Sequence, residues 1–267
     1  MRSKVPICVV LLLVLAWPAL SQTPEPIEHR LEVTLEPDRS VLRVTDQVAL
    51  GDLESGDPIE FLLNSALVLQ QSEPAVEKMP LGDVEGFYGI NGTSIELSDD
   101  VELTRYRVVE PLPNGILTLS YAGDFDFGLS DQAEEYTRGF RETAGIVGEE
   151  GVYLAGSGFW YPSFGDQLLE FDMEVDIPVD WQVISQGNGT AQDGEGKARW
   201  SSGGAMDEIY LVGGPLVAYE EAAGAVTAQV FLNKHTQDAV GFIFKYKQGI
   251  VFFHITFFGN FLIADSR

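Results

Sequence analysis

The side chains of this 267-residue chain that could carry out chemistry are few and widely separated. Its three histidines stand at His29, His235 and His254. A zinc site with two ligands on one helix face needs the spacing H-E-x-x-H, and none of the three histidines stands in that pattern. We therefore interpret them as surface or tail histidines, and we assign no metal ligand from the sequence.

Serine and glycine motifs give no active site either. Gly156-Ser157-Gly158 lacks the G-x-S-x-G spacing of a nucleophile elbow and leads into an aromatic loop. Gly187-Asn188-Gly189 is not followed by the helix or the lysine that a phosphate-binding loop requires. We assign no catalytic residue from the sequence, and the substrate-binding residues are unknown at this point.

An acidic segment is the remaining candidate for a metal site. Asp124, Asp126 and Asp131 carry the oxygen ligands that calcium prefers, but Gly128 stands where a third early ligand would be needed. We interpret the segment as a solvated loop. Carboxylates are so abundant in this chain that their presence selects no general acid–base pair.

The composition excludes several classes of protein. Asp and Glu number 41 against 16 Lys and Arg, which gives a formal net charge of −25. Such a chain is repelled by the phosphates of nucleic acids and by anionic membrane surfaces. Hydrophobic residues make up 45% and aromatic residues 11% of the chain, which is enough for a packed core and excludes a wholly disordered chain.

The amino terminus has the pattern of a secretory signal peptide. Arg2 and Lys4 precede an apolar run from Ile7 to Ala16, and small residues follow in Ala19-Leu20-Ser21. The run is too short for a membrane span, which needs about 20 apolar residues. We predict a signal peptide over residues 1–21 and an exported protein that is secreted or lies in the periplasm or cell envelope. The only cysteine, Cys8, lies within that signal.

Alternation of apolar and polar residues predicts β-structure from Ile27 to about Leu232. The clearest case is Leu169 to Ile177, where five apolar residues fall on one face of a strand and four carboxylates on the other. The same period recurs in 31–35, 42–50 and 117–121. We predict an all-β domain over residues 22–234, an antiparallel sandwich or saddle of many short strands.

Short turns and one short helix are predicted between the strands. Tight turns are expected at Asn91-Gly92, Pro113-Asn114-Gly115, Asn188-Gly189 and Asp193-Gly194, since these residue types favour positive φ. The best helical candidate lies around Ser130 to Arg141, with acidic residues in its first turn.

The last 30 residues differ from the rest. Seven of the 16 phenylalanines lie between Phe242 and Phe261. The apolar run from Ile250 to Ile263 is too short and too polar for a membrane span. We interpret residues 235–267 as the start of a missing catalytic domain or as an aberrant carboxyl-terminal tail, of uncertain structure.

Five stretches of the predicted β-domain resemble one known family in their order and spacing. Leu117–Gly123 is similar to an L-x-I-x-Y-x-G strand, and 151–162 is similar to the segment that precedes F-P-C-F-D-E-P. The other three are 29–38, 169–187 and 207–216. Together they resemble the amino-terminal β-saddle domain of the aminopeptidase N family of zinc metallopeptidases.

The resemblance implies a non-catalytic role for this part of the chain. In the family, the saddle walls the active-site cleft of a zinc-dependent catalytic domain that follows it in the same chain. The H-E-x-x-H motif is absent here, so we expect this chain to be inactive alone, with zinc and peptide substrate bound only by full-length relatives. Gly204-Ala205-Met206-Asp207-Glu208 differs from the G-A-M-E-N motif in its last two residues and its position, so no site residue is carried over.

A protein of a different class is the alternative. A stand-alone secreted β-sandwich could bind a protein or carbohydrate partner through an exposed aromatic patch at Trp160, Tyr161 and Phe164. We favour the interpretation that these three aromatic residues pack in the core or at a domain interface.

Overall fold

A computed structural model describes most of the chain between residues 25 and 264. The described residues are 25–51, 58–82, 101–128, 130–131, 141–165, 167–234, 239–246, 251–256 and 263–264. The predicted signal peptide, Cys8 and the predicted turn at Asn91-Gly92 lie outside them. No helix in the described part is long and apolar enough to cross a membrane.

The described residues form β-strands joined by turns and short 3-10 helices, which confirms the all-β prediction. The 3-10 helices are Pro37–Arg39, Pro113–Gly115 and Gly156–Gly158. The strands are β1 (Ile27–Glu36), β2 (Val41–Ala49), β3 (Glu60–Asn64), β4 (Val68–Glu73), β5 (Val76–Met79), β6 (Leu103–Val108), β7 (Ile116–Asp124), β8 (Ser130–Asp131), β9 (Arg141–Glu142), β10 (Ile146–Gly148), β11 (Gly151–Leu154), β12 (Leu169–Asp176), β13 (Gln182–Ile184), β14 (Asn188–Thr190), β15 (Lys197–Ser201), β16 (Leu211–Gly214), β17 (Leu216–Ala223), β18 (Val226–Asn233), β19 (Ala239–Tyr246), β20 (Val251–Thr256) and β21 (Ile263–Ala264).

A seven-stranded sheet forms one layer of the molecule. Its strand order is β14-β15-β12-β1-β2-β7-β4. The first strand, β1, pairs antiparallel with β2 and parallel with β12, with Ile27 opposite Leu169. The sheet is therefore mixed, whereas the sequence predicted only antiparallel pairing. Alternation shows which face of a strand is buried, but it does not show the direction of the neighbouring strand.

The predicted burial of β12 is confirmed. Its apolar residues Leu169, Phe171, Met173 and Val175 are buried, and so is Ile177 just after the strand. Asp172 and Asp176 on the opposite face are exposed. The apolar positions predicted in β1, β2 and β7 are buried as well, so the sheet has one dry face and one wet face.

Smaller sheets cover the dry face. One has the order β10-β11-β16-β13, and another has the order β3-β6-β5. A single cluster of buried apolar side chains joins these sheets to the large one, with Leu31 from β1, Phe61 from β3 and Leu211 from β16 among its members. The core therefore lies between the layers, as in a sandwich.

A meander of five strands, β17 to β21, ends the described chain. β18 pairs with β19 from Val226 opposite Tyr246 to Leu232 opposite Ala239. This pairing joins residues on the two sides of the predicted boundary between the β-domain and the tail.

The helix predicted around Ser130 to Arg141 is wrong at both of its ends. Ser130 pairs with Glu142 and Asp131 pairs with Arg141, so that β8 and β9 form a two-stranded sheet. Residues 132–140, the middle of the predicted helix, lie outside the described residues. The cross-strand pairing takes up backbone groups that a helix would have bonded within itself.

The predicted turns have different outcomes. Asn114 and Gly115 have φ of 57° and 75°, and Gly194 has φ of 90°, which confirms two of the turns. The turn at Asn188-Gly189 is wrong because these residues belong to β14. The preceding Gly187 makes the turn instead, with φ of 82°, and a side chain there would meet the Ser201 carbonyl oxygen.

Candidate functional site

Three of the stretches that resemble aminopeptidase N meet at one place in the fold. Stretch 151–162 contains β11, stretch 169–187 contains β13, and stretch 207–216 contains β16. Both β11 and β13 pair with β16. The aromatic loop after β11 is bound to the residues just before β16. Trp160 Nε1 donates a hydrogen bond to the Ile209 carbonyl oxygen at 3.1 Å, and the Ile209 N–H donates to Tyr161 Oη at 3.2 Å.

Glu208 lies at the centre of this meeting point. Tyr210 Oη donates a hydrogen bond to Glu208 Oε1 at 2.5 Å, and the Gly156 N–H donates to Oε2 at 2.9 Å. The Gln186 side chain bridges the same backbone, because its Nε2 donates to the Glu208 carbonyl oxygen and its Oε1 accepts from the Tyr210 N–H, each at 2.9 Å. We call Glu208, Tyr210, Gly156, Tyr153 and Tyr161 the Glu208 cluster.

The electrostatics of the Glu208 cluster favour protons. Burial raises the pKa of Glu208, and the hydrogen bonds from Tyr210 and Gly156 only partly oppose this effect. Burial, followed by the nearby charge of Glu208, raises the pKa of Tyr153, Tyr161 and Tyr210. The three phenols therefore stay protonated and act as neutral groups around a carboxyl that takes up a proton more readily than an exposed glutamate.

The 3-10 turn Gly156–Gly158 fits against the cluster because it starts with glycine. A Cβ atom at position 156 would lie 2.7 Å from Glu208 Cβ, 2.8 Å from Glu208 Oε2 and 2.9 Å from Tyr161 Oη. Any side chain there would displace the carboxyl group. The cluster thus holds the turn and the aromatic loop in one position. Its contacts indicate a structural role in orienting this loop.

A second polar pair lies inside the seven-stranded sheet. His29 Nδ1 and Asp46 Oδ2 are 2.7 Å apart, and the two residues are 2% and 0% exposed. The interpretation of His29 as a surface histidine is therefore wrong. The Tyr161 ring contacts the imidazole edge to face, with ring centroids 5.5 Å apart. His235 lies outside the described residues, and His254 lies in β20.

The His29–Asp46 pair is incompletely hydrogen-bonded. Within the part of the chain that is described, Asp46 Oδ1 and Tyr121 Oη are buried without a partner. Burial first, then the charge of Asp46, raises the pKa of Tyr121. The pair therefore places a polar group in the core whose hydrogen-bonding capacity is only partly used.

The aromatic residues of the alternative interpretation are not an exposed patch. Trp160 and Tyr161 are buried in the core, which confirms the expectation that they pack. Phe164 is partly buried, with its ring centroid 5.5 Å from that of Phe61 and 6.4 Å from that of His29. These three side chains line the inside of the sandwich.

The acidic segment shows a structural use for one carboxylate. Asp126 Oδ1 accepts a hydrogen bond from the Gly128 N–H at 3.1 Å, as in an Asx turn. The side chain of Asp131 lies outside the described part. Across the described residues, no three His, Cys, Asp or Glu side chains lie close enough together to hold a metal ion.

The sequence contained signals for the residues that were missed. His29 has the same parity as Ile27 and Leu31, and Asp46 has the same parity as Val44 and Val48. Parity alone places both polar residues on the buried faces of β1 and β2. Glu208 has no such signal, because its role depends on a turn that lies 52 residues earlier in the chain.

Similarity of the chain to known proteins is found among solved structures. No protein-family model matches it, and no curated protein matches it. Among solved structures, it is similar to an aminopeptidase N family protein from Idiomarina loihiensis, with 12% identity and a TM-score of 0.47 over 78% of this chain and 32% of the other. It is also similar to yeast LTA4 hydrolase, with 13% identity and a TM-score of 0.44 over 73% and 29%.

A third similar structure is an M1 zinc metallopeptidase from Deinococcus radiodurans, with 16% identity and a TM-score of 0.38 over 76% of this chain and 45% of the other. The chain thus spans less than half the length of each of these three proteins. At these identities the likeness concerns the fold and not the activity. The chain is similar to a part of aminopeptidase N and M1 metallopeptidase structures.

Proposed function

We propose that this chain is the non-catalytic amino-terminal β-domain of an exported aminopeptidase-N-like metallopeptidase. The observation that carries the proposal is the meeting of 151–162, 169–187 and 207–216 in one four-stranded sheet around Glu208. Each of these stretches resembles the family by its own sequence. The proposal explains why stretches that are far apart in the sequence, and that each resemble the same domain, lie side by side in the fold.

In this role the domain forms one side of an active-site cleft and restricts entry to peptides with a free amino terminus. A wall must be rigid to exclude substrates by shape. The Glu208 cluster supplies rigidity, since it bonds the turn Gly156–Gly158 to the residues before β16. Trp160 and Tyr161 are fixed by the same residues and give the loop an apolar inner side.

The described residues do not fit the zinc ion of the full-length relatives. His29 is buried and hydrogen-bonded to Asp46, and no third ligand of the required type lies close to the pair within the described part. Zinc binding and the general base therefore belong, under this proposal, to a catalytic domain in the same protein. The described residues take part in no step of the hydrolysis.

The DNA downstream of codon 267 in the source genome tests the proposal first. We expect it to encode H-E-x-x-H in some reading frame, followed by a glutamate ligand. A stop codon followed by an unrelated gene would contradict the proposal and favour a stand-alone binding protein.

An activity assay tests it second. The purified protein should give no chelator-sensitive hydrolysis of aminoacyl-anilide substrates, whereas the protein joined to the downstream reading frame should give it. Chelator-sensitive turnover by the 267-residue protein alone would show that its active site had been missed.

A further inference from the structure

The wet face of the seven-stranded sheet contains a groove of about 440 Å³ that lies apart from the Glu208 cluster. Two neighbouring rows of side chains cross the groove at right angles to the strands. The first, which we call the open row, consists of Asn188, Ser201, Asp172, Arg30 and Gln47. They lie opposite one another on β14, β15, β12, β1 and β2.

The side chains of the open row are unbonded. None of the five has a hydrogen-bond or ion-pair partner among the described residues, and all but the half-buried Ser201 are exposed. The second row consists of Thr190, Arg199, Glu174, Glu32 and Thr45. In it, by contrast, Arg199 Nε donates to Glu174 Oε2 at 2.9 Å, and Lys197 Nζ, from outside the row, donates to Glu174 Oε1 at 2.6 Å. Ion pairs thus use up part of the second row, and the open row keeps its full hydrogen-bonding capacity.

Arg30 is exceptional in this acidic protein. Nine Lys and Arg side chains are described, and the other eight bond a carboxylate or a carbonyl oxygen or lie over a ring. These eight are Arg39, Arg43, Lys78, Arg105, Arg107, Lys197, Arg199 and Lys234. Arg30 has no such partner among the described residues, although Asp172 lies opposite it on β12. Its guanidinium group is therefore available to a ligand at the centre of the groove.

The chemistry of the open row selects the ligand. Asp172 and Arg30 carry opposite charges, so the row has no net charge. Its carboxylate accepts hydrogen bonds, its guanidinium group donates them, and its amides and hydroxyl do both. Planar carboxylate, amide and guanidinium groups suit bidentate bonding to adjacent hydroxyl groups, which also donate and accept. We propose that the groove binds an uncharged oligosaccharide.

The shape of the groove agrees with this class of ligand. Five adjacent strands extend over roughly 19 Å at about 4.8 Å per strand, which suits several sugar rings in line more than a single sugar. An extended peptide would need an unpaired strand edge for its main chain, and β15, β12, β1 and β2, which form most of the groove, are paired on both sides. Of the five strands only β14, at the end of the sheet, has an unpaired side in the described structure. The groove is lined by three carboxylates, Glu32, Asp172 and Glu174, against the two cations Arg30 and Arg199, and this excess of negative charge disfavours a phosphate-rich ligand.

A glycan array followed by calorimetric titration tests the proposal with the purified protein. Neutral oligosaccharides should bind, and they should bind more tightly than their component monosaccharides. Arg30→Ala and Asp172→Ala should each weaken the best ligand by at least about tenfold, since each removes hydrogen bonds to a charged group. Glu28→Ala is the matched control, because Glu28 lies on the same face of β1 outside the groove and should leave affinity unchanged.

Three results would overturn the proposal: no neutral glycan binds, acidic glycans bind better than neutral ones, or Glu28→Ala weakens binding as much as Arg30→Ala. Both groove variants change exposed side chains, so circular dichroism should show an intact fold in each. The result is independent of the proposed function, which is tested by the downstream DNA and by peptide hydrolysis.

Discussion

Two carboxylates, the fully buried Asp46 in the seven-stranded sheet and the half-buried Glu208 before β16, are shielded from water to different degrees and have different partners. Asp46 faces an imidazole and leaves one oxygen without a partner among the described residues. Glu208 receives hydrogen bonds on both oxygens from neutral donors, a phenol and a backbone N–H. A neutral donor on each oxygen does not replace the solvation that water gives to a charged carboxylate, because burial still raises the pKa of Glu208.

Breaking the His29–Asp46 pair should have the largest effect on the free energy of unfolding. Asp46→Ala removes the hydrogen-bond partner of a buried imidazole and leaves a cavity, so we expect a loss of about 3–5 kcal/mol in the free energy of unfolding. Urea melts followed by tryptophan fluorescence would measure it.

Two further variants control for the burial of this region. Phe171→Ala, at the position opposite His29 on β12, should cost a similar amount, about 3–5 kcal/mol, by leaving a cavity alone. The double variant His29→Leu with Asp46→Leu should cost under about 1 kcal/mol, since a well-packed apolar pair can replace a buried polar one. A full loss in the double variant would show that packing, not pairing, explains the effect of Asp46→Ala.

Crowding the Glu208 cluster should have an intermediate effect. Gly156→Ala places a methyl group closer to Glu208 and Tyr161 than van der Waals contact allows. We therefore expect a loss of about 1–3 kcal/mol in the free energy of unfolding, measured in the same melts. Gly204→Ala is the matched control, because a Cβ atom there meets nothing within 4 Å, and it should change stability by less than about 0.5 kcal/mol. Equal losses in the two variants would mean that the contact with Glu208 and Tyr161 does not explain the loss at Gly156.

The pH dependence of stability should show a smaller effect, which comes from Glu208. The pKa of Glu208 is raised in the folded protein above its ordinary value of 4.5, so the folded state holds this proton more tightly than the unfolded state. The stability that this proton contributes is present below the unfolded pKa and is lost as the pH rises through the folded pKa.

Glu208→Gln should remove that loss. The free energy of unfolding of the native protein, relative to the variant, should fall as the pH rises from about 4 to about 8 in urea melts. Parallel curves over that range would contradict the raised pKa. The Asp46→Ala variant serves as the comparison, since it should keep the Glu208 contribution.

An exposed carboxylate on the wet face of β12 should show the smallest effect. Asp172→Ala should change the free energy of unfolding by less than about 0.5 kcal/mol, because the side chain is exposed and has no partner among the described residues. A larger loss would mean that the open row already contributes to the stability of the sheet without a ligand.

The sequence predicted the buried faces of the sheet well, because alternation is a local property. Leu169, Phe171, Met173 and Val175 needed no information from elsewhere in the chain. Parallel pairing of β1 with β12 could not be predicted in this way, because it depends on contacts between residues far apart in sequence. The predicted turn at Asn188-Gly189 was wrong for a related reason, since pairing with β15 outweighed the local preference of the dipeptide for a turn.

The candidate sites were harder to predict than the fold. The spacing of a short motif such as G-x-S-x-G is a local property that the sequence shows directly. The role of Glu208 rests on Gly156 and Gln186, which three-dimensional packing brings to it. The open row could not be predicted from the sequence either. Its five members come from five strands and become neighbours only through the pairing register of those strands.

The central place of β1 has a consequence for the order of folding. β2 follows β1 in the chain and pairs with one side of it, and β7 then pairs with β2, but the other side of β1 stays open until β12 has been synthesised. Closing so long a loop is slow, because its entropy must be lost before the pairing is gained. Until then β1 exposes a free edge, so the incomplete chain is open to edge-to-edge association with other chains.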